Sequence, residues 1–169
     1  NSKPWPNDQH STMRYFLVAG EASGDLHASA LIRALRAEDP EASFAFMGGD
    51  KMEAAAGVAP IVHYREVAFM GIVSVVKNLG KLTRIGRQIQ AVMRDFAPDV
   101  VIPVDYADFN FRFILPYAKK ELRCPVIYYI LPKLWAWRAG RIRQLRRYVD
   151  LGLSILPFET NYFSDRGLR

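Results

Sequence analysis

Tyr15-Phe16-Leu17-Val18-Ala19-Gly20-Glu21-Ala22-Ser23-Gly24-Asp25 is the stretch on which the fold turns. Its first five residues are apolar or aromatic, the pattern of a strand covered on both faces. Gly20 and Gly24 let the backbone turn tightly and approach a ligand, and a helix is predicted from about Leu26. Ser23 or Asp25 is expected to cap that helix and to present oxygen atoms to a sugar. The loop lacks the third glycine of a dinucleotide fingerprint and the Lys-Ser/Thr pair of a nucleotide-phosphate loop. Glu21 would repel a phosphate, so it suits hydroxyl recognition or backbone ordering instead. A purely structural turn and cap fits this stretch equally well on its own.

Working outward, strand patterns fall at 14–19, 43–47, 60–62, 99–104, 125–130 and 150–155. Helical patterns fall at 26–37, 50–56, 72–95, 109–121, 139–147 and 158–166. This alternation predicts an α/β fold: a Rossmann-like, doubly wound, mostly parallel sheet with right-handed crossovers. Ligands in such folds collect beyond the carboxyl ends of the strands, which singles out the loops 20–25, 48–50, 63–71, 105–110 and 131–138. Residues 1–12 are polar, contain two prolines and show no period, so they read as a disordered extension or expression remnant. Residues 13–169 read as one domain, without repeat or linker. The chain stops after a glycine-closed helix at Gly167-Leu168-Arg169, where a further strand is expected, so it reads as unfinished.

With 169 residues, half of them apolar, the chain can bury a core unaided. The single cysteine, Cys124, excludes an internal disulfide framework and a cysteine-rich zinc site. His10, His27 and His63 have no metal-motif spacing, so no metal and no cofactor are expected. No window is long and apolar enough to span a bilayer, and no secretory signal is visible, so the expected location is cytoplasmic. A net charge of +6 favours anionic partners without choosing among nucleic acid, anionic lipid and phosphorylated substrates.

The strand at 99–104 ends in Asp105-Tyr106-Ala107-Asp108-Phe109-Asn110. A carboxylate at a cleft mouth can take the proton from an attacking hydroxyl, and two close carboxylates can raise one another's pKa. The alternative is that Asp108 only caps the next helix. Leu131-Pro132-Lys133-Leu134-Trp135-Ala136-Trp137-Arg138 follows the fifth strand. Its tryptophans and cations suit stacking on sugars or bases, lipid headgroups, or core packing. Arg141 to Arg147 read equally as a solvated helix face. Val67 to Leu82 is unusually apolar yet carries Lys77 and Lys81, with Arg84 and Arg87 following, which suits either an interfacial membrane segment or core.

Taken together, Gly20-Glu21-Ala22-Ser23-Gly24-Asp25, Met47-Gly48-Gly49, Phe69-Met70-Gly71, the Asp105–Asn110 strand end, Tyr128-Tyr129-Ile130, Trp135-Ala136-Trp137-Arg138 and Leu156-Pro157-Phe158-Glu159 resemble the lipid-A-disaccharide synthases in identity, order and spacing. The resemblance runs through residues 13–169. It implies the N-terminal, acceptor-side half of a glycosyltransferase-B fold, with the C-terminal nucleotide-binding half absent and this piece inactive alone. It also implies metal-free, inverting transfer of 2,3-diacylglucosamine from its UDP derivative (UDP-2,3-diacylglucosamine) to the 6-hydroxyl of 2,3-diacylglucosamine 1-phosphate, forming a β-1,6 linkage and releasing UDP. The implied enzyme is peripheral on the cytoplasmic face of the bacterial inner membrane, contacts anionic lipid, binds no nucleic acid, and dimerises through the missing half.

Carried over by residue, the resemblance implies Asp108 as the base, Asp105 as second choice, and Asn110 and Glu21 as polar supports. Gly20, Ser23, Gly24 and Asp25 form the substrate loop, with Trp135 also on substrate and Lys133 and Arg138 on substrate or membrane phosphate. Phe69, Met70, Val73, Val76 and Leu79 are the implied membrane contacts. Two positions depart from the family pattern: Tyr106-Ala107 stands where a small residue and proline are common, and Leu131-Pro132 where Ser-Pro is common. The competing readings are a lipid- or membrane-binding module without chemistry and an RNA-binding domain using the Trp-Arg segment.

Overall fold

The computed structural model describes residues 12–72, 75–133 and 139–169, with side-chain surroundings for all of these except 69–72, 75–78 and Ala139. Strands β1 (Arg14–Ala19), β2 (Ser43–Met47), β3 (Val100–Val104), β4 (Ile127–Tyr129) and β5 (Leu151–Leu153) pair in parallel. Their order is β2-β1-β3-β4-β5. The chain therefore winds outward from β1 to β2 and then crosses back to β3 on the opposite side. A crevice opens between β1 and β3, where the winding reverses.

The sheet carries a hydrophobic layer on each face, as the uninterrupted apolar runs require. Phe16 and Val18 of β1 join Val101 and Tyr128 on one side. There they meet Ile85, Ile89 and Met93 of α4 (Val75–Phe96) and Leu145 of α7 (Ile142–Tyr148). Leu17 and Ala19 alternate to the other side, against Ala28 and Ile32 of α1 (Ala22–Glu38) and Met52 and Ala56 of α2 (Asp50–Ala56). Each fully buried large aliphatic side chain contributes about 1.5–3 kcal/mol, so this two-sided burial fixes the register of β1 and β3. Helix α4 is amphipathic: Ile85, Ile89 and Met93 face the core at helical spacing, whereas Lys81, Arg84 and Arg87 are exposed.

Three sequence expectations are corrected here. Residues 60–62 form no strand, although Ile61 N–H donates to the Phe46 carbonyl and Gly48 N–H to that of Val62 at the end of β2. Pro60 has no N–H to offer, so pairing reduces to one bridge between Gly48 and His63. The expected loop 63–71 is mostly helix, α3 (Tyr64–Ile72), with Val67 buried. The expected helix 109–121 is split into α5 (Ala107–Phe109), a π-helical turn (Asn110–Ile114) and α6 (Leu115–Lys120). Pro116 explains the split, because it cannot donate to the carbonyl four residues back and its ring crowds that carbonyl. The helix widens, and Leu115 N–H reaches Asn110 O five residues back instead. Helix α8 (Pro157–Ser164) closes the described chain. Among the described residues no helix is long and apolar enough to cross a membrane.

Candidate active site at the strand ends

Register brings the site together. Ala19 pairs with Val104, Val104 with Tyr129, and Tyr129 with Leu153. The residues one step beyond, Gly20, Asp105, Ile130 and Ser154, therefore stand side by side on the rim. Asp105, Tyr106 and Ile130 hold positive φ of 44°, 47° and 60°, a region that costs a non-glycine residue energy and that clusters at functional turns. The strained turn is held from below. The Asp105 carbonyl accepts from the Tyr128 hydroxyl at 2.6 Å and from Asn110 Nδ2 at 2.8 Å, while Asp105 N–H donates to Tyr129 O at 3.1 Å. Both side-chain donors belong to buried residues, and burial pushes the Tyr128 phenol far above its usual pKa. Asn110 thus holds the backbone of the acidic turn.

A cavity of about 520 Å³ opens above this rim. Ser23, His27, Asp105, Asp108, Lys133, Arg141 and Glu159 supply its polar wall, and Ile130, Leu131, Pro132, Ile155 and Leu156 its apolar wall. Asp105 has a raised pKa, first because burial penalises its charge and second because Glu21 is near; Tyr106 N–H and Lys133 oppose the shift. The expected mutual effect of the two aspartates is corrected in this respect: the carboxylate that raises Asp105 is Glu21. Asp108 sits at the rim with its side chain 76% exposed, and its Oδ1 accepts from Arg141 Nη2 at 2.7 Å. The Arg141 side chain is only 24% exposed, and its guanidinium lies 5.2 Å from the Phe111 ring centre. That engagement replaces the solvated-face alternative for Arg141.

The first loop differs in detail from expectation. Neither Ser23 nor Asp25 caps α1; Glu21 is the N-cap residue, without a side-chain capping bond, and Ser23 Oγ donates to Glu21 Oε1 at 3.0 Å. Ser23 and Gly24 line the cavity. Asp25 does not: it is 3% exposed and accepts the N–H groups of Gly49, Lys51 and Met52 at 2.9, 3.1 and 3.0 Å. It is the cap of α2, supplied from another helix. Gly49 at the N-cap has no room for a side chain, because a Cβ there would overlap the Tyr64 ring. Gly20 lies under Tyr106, where a Cβ would overlap the ring of that residue.

Trp135 and Arg138 lie outside the described residues, as does Val73; the side chains of Phe69, Met70 and Val76 do too. Leu79 is 45% exposed on α4 near Lys81, Arg84 and Arg87. Sequence reasoning missed His27, although helical spacing puts it on the same face of α1 as Ser23 and Gly24. Nothing local marks Arg141 as the partner of Asp108.

Fold and crevice together define a Rossmann-like α/β domain with carboxylates at its switch point. The fold is shared with solved UDP-N-acetylglucosamine 2-epimerases. The enzyme from Neisseria meningitidis, bound to UDP-GlcNAc, has a TM-score of 0.62 at 13% identity, covering 93% of this chain and 44% of that one. The enzyme from Rickettsia bellii has a TM-score of 0.59 at 10% identity, covering 94% and 43%. The family is shown by sequence: the lipid-A-disaccharide synthetase family profile matches residues 15–169, and this chain belongs to that family. It is 44% identical over 155 residues to the lipid-A-disaccharide synthase of Myxococcus xanthus, covering 92% of this chain and 40% of the relative. It is 38% identical over 160 residues to that of Geobacter sulfurreducens, covering 95% and 41%. The chain thus spans about 40% of the length of these relatives.

Proposed function

We propose that this chain is the acceptor-side, membrane-contact half of a lipid-A-disaccharide synthase. The whole enzyme transfers 2,3-diacylglucosamine from its UDP derivative to the 6-hydroxyl of 2,3-diacylglucosamine 1-phosphate. The observation that carries the reading is the pair of aspartates lining one cavity at the switch point of the sheet, beside Ser23 and Gly24. Asp108 takes the proton of the 6-hydroxyl as that oxygen bonds to the anomeric carbon of the donor. The bond from that carbon to UDP breaks on the opposite side, its electron pair leaves with UDP, and the configuration inverts. Asp105 is the second candidate for the base, while Glu21 and Asn110 set its charge and backbone. The apolar wall from Ile130 to Pro132 and at Ile155 and Leu156 suits the acylated sugar. The donor is held by a C-terminal half, so residues 13–169 alone are expected to be inactive.

The test uses the full-length enzyme. Asp108→Asn is expected to lower turnover about 10²- to 10⁴-fold with folding intact. Normal turnover would remove Asp108 as the base, and a comparable loss confined to Asp105→Asn would transfer the role. The protein is further proposed to sit on the cytoplasmic face of the inner membrane through Phe69, Met70, Val73, Val76 and Leu79, with the basic face of α4 on anionic headgroups. Replacing these five residues with serine should weaken co-sedimentation with anionic vesicles; unchanged binding would refute the assignment.

A further inference from the structure

Arg141 joins the polar wall of the cavity from a part of the chain remote from the acidic turn. Together with Asp108 it lines the main cavity of about 520 Å³ and also a second concavity of about 420 Å³ that includes Arg112 and Gln144. The ion pair is thus a partition between two recesses. In the closed pair, Oδ1 of Asp108 is already occupied by the guanidinium at 2.7 Å. Arg141 is anchored independently of Asp108, with most of its side chain covered and its guanidinium against Phe111, so it can change partners without moving far.

Resting on the proposed acceptor chemistry, we propose that Arg141 receives the phosphate of the acceptor, exchanging its contact with Asp108 for this phosphate at the same rim where the aspartate acts on the 6-hydroxyl. A phosphomonoester carries nearly two negative charges against one on the carboxylate and offers two oxygens to the guanidinium fork, so it displaces the aspartate. The anomeric carbon and the carbon that bears the hydroxymethyl group flank the ring oxygen, so the phosphate and the 6-hydroxyl lie along one edge of the acceptor. Two adjoining groups at one cavity rim can therefore address both at once. Lys133, on the same cavity, adds a second positive charge. An acceptor without phosphate makes no such contact with Arg141.

The experiment uses the full-length enzyme in neutral detergent without anionic lipid, comparing 2,3-diacylglucosamine 1-phosphate with its phosphate-free counterpart. Arg141→Gln should reduce the preference of kcat/KM for the phosphorylated acceptor about 10- to 100-fold, the effect of one lost charge-assisted pair. Arg141→Lys should restore part of the preference, because a point charge remains without the fork. The exposed neighbour Arg143, changed to Gln, should keep wild-type preference. A preference unaltered in Arg141→Gln overturns the proposal, as does a KM rise for the UDP-sugar in place of the acceptor. A preference that returns only with anionic lipid present assigns Arg141 to a headgroup and equally overturns it. If Asp108→Asn retains turnover, the base assignment falls instead, a result readable separately from the preference.

Discussion

Removing the carboxylate of Asp25 should unfold the domain at markedly lower temperature, although Asp25 does not line the cavity. Its two oxygens accept three backbone N–H groups at the start of α2, at 2.9–3.1 Å, from a position 3% exposed. Loss of an ordinary N-cap costs about 1–2 kcal/mol. Hydrogen bonds to a charged acceptor contribute about 1.5–3 kcal/mol each, but three that share one carboxylate do not add in full. The groups at Gly49 and Met52 are in buried bonds, while that at Lys51 is partly open to water, so Asp25→Ala is expected to cost about 3–4 kcal/mol. For a domain of this size that is a drop in Tm of about 10 °C. Asp25→Asn, which keeps one acceptor oxygen, should fall between. Thermal melting by circular dichroism, with urea unfolding to check that the m-value is unchanged, reads both variants. A melting temperature for Asp25→Ala within about 2 °C of wild type would show that the cap is dispensable and that the reasoning fails.

Asp105 gives a pH signature. Burial and the nearby Glu21 hold its folded pKa above that of an ordinary aspartate, so the native state holds its proton more tightly than the unfolded chain does. That contribution is present below the unfolded pKa and is lost as pH rises through the folded one. Asp105→Asn should therefore raise Tm at neutral pH relative to wild type and lose this advantage below the usual carboxylate range; melts across acid to neutral pH that run parallel would contradict it. Gly20 and Tyr106 should be coupled: Gly20→Ala is expected to cost about 1–3 kcal/mol by displacing the Tyr106 ring, and much less when Tyr106 is already glycine. A double-mutant cycle by urea unfolding measures the difference, and additive costs would refute the contact.

How much of this was legible in the sequence depended on whether the signal was local. Strands β1, β2 and β3 were readable because burial on both faces writes itself as a continuous apolar run. The short pairing of Ile61 and Val62 with β2 gives a similar run without enough backbone donors to make a strand. Helix α3 was hidden because Phe69-Met70-Gly71-Ile72 is too uniformly apolar to show a helical period. At the site, the acidic turn and its place at a strand end were legible, since both depend on neighbours in sequence. The partners were not: Asp25 meets residues 24 to 27 positions away, and Arg141 reaches Asp108 across an entire strand crossover. A favoured capping residue announces that it will cap, but leaves open which helix receives it.

The π-helical turn between Asn110 and Ile114 has a bearing on the acidic turn beside it. One residue there is surplus to ordinary helical pitch, and each residue of a helix advances the side-chain direction by about 100°. The surplus therefore sets the angular phase between Asp108, looking out over the rim, and Leu115 and Ala118, locked inside. Spacing in this segment acts as a gear tooth: a chain one residue shorter would keep every side chain named here and yet aim the carboxylate elsewhere.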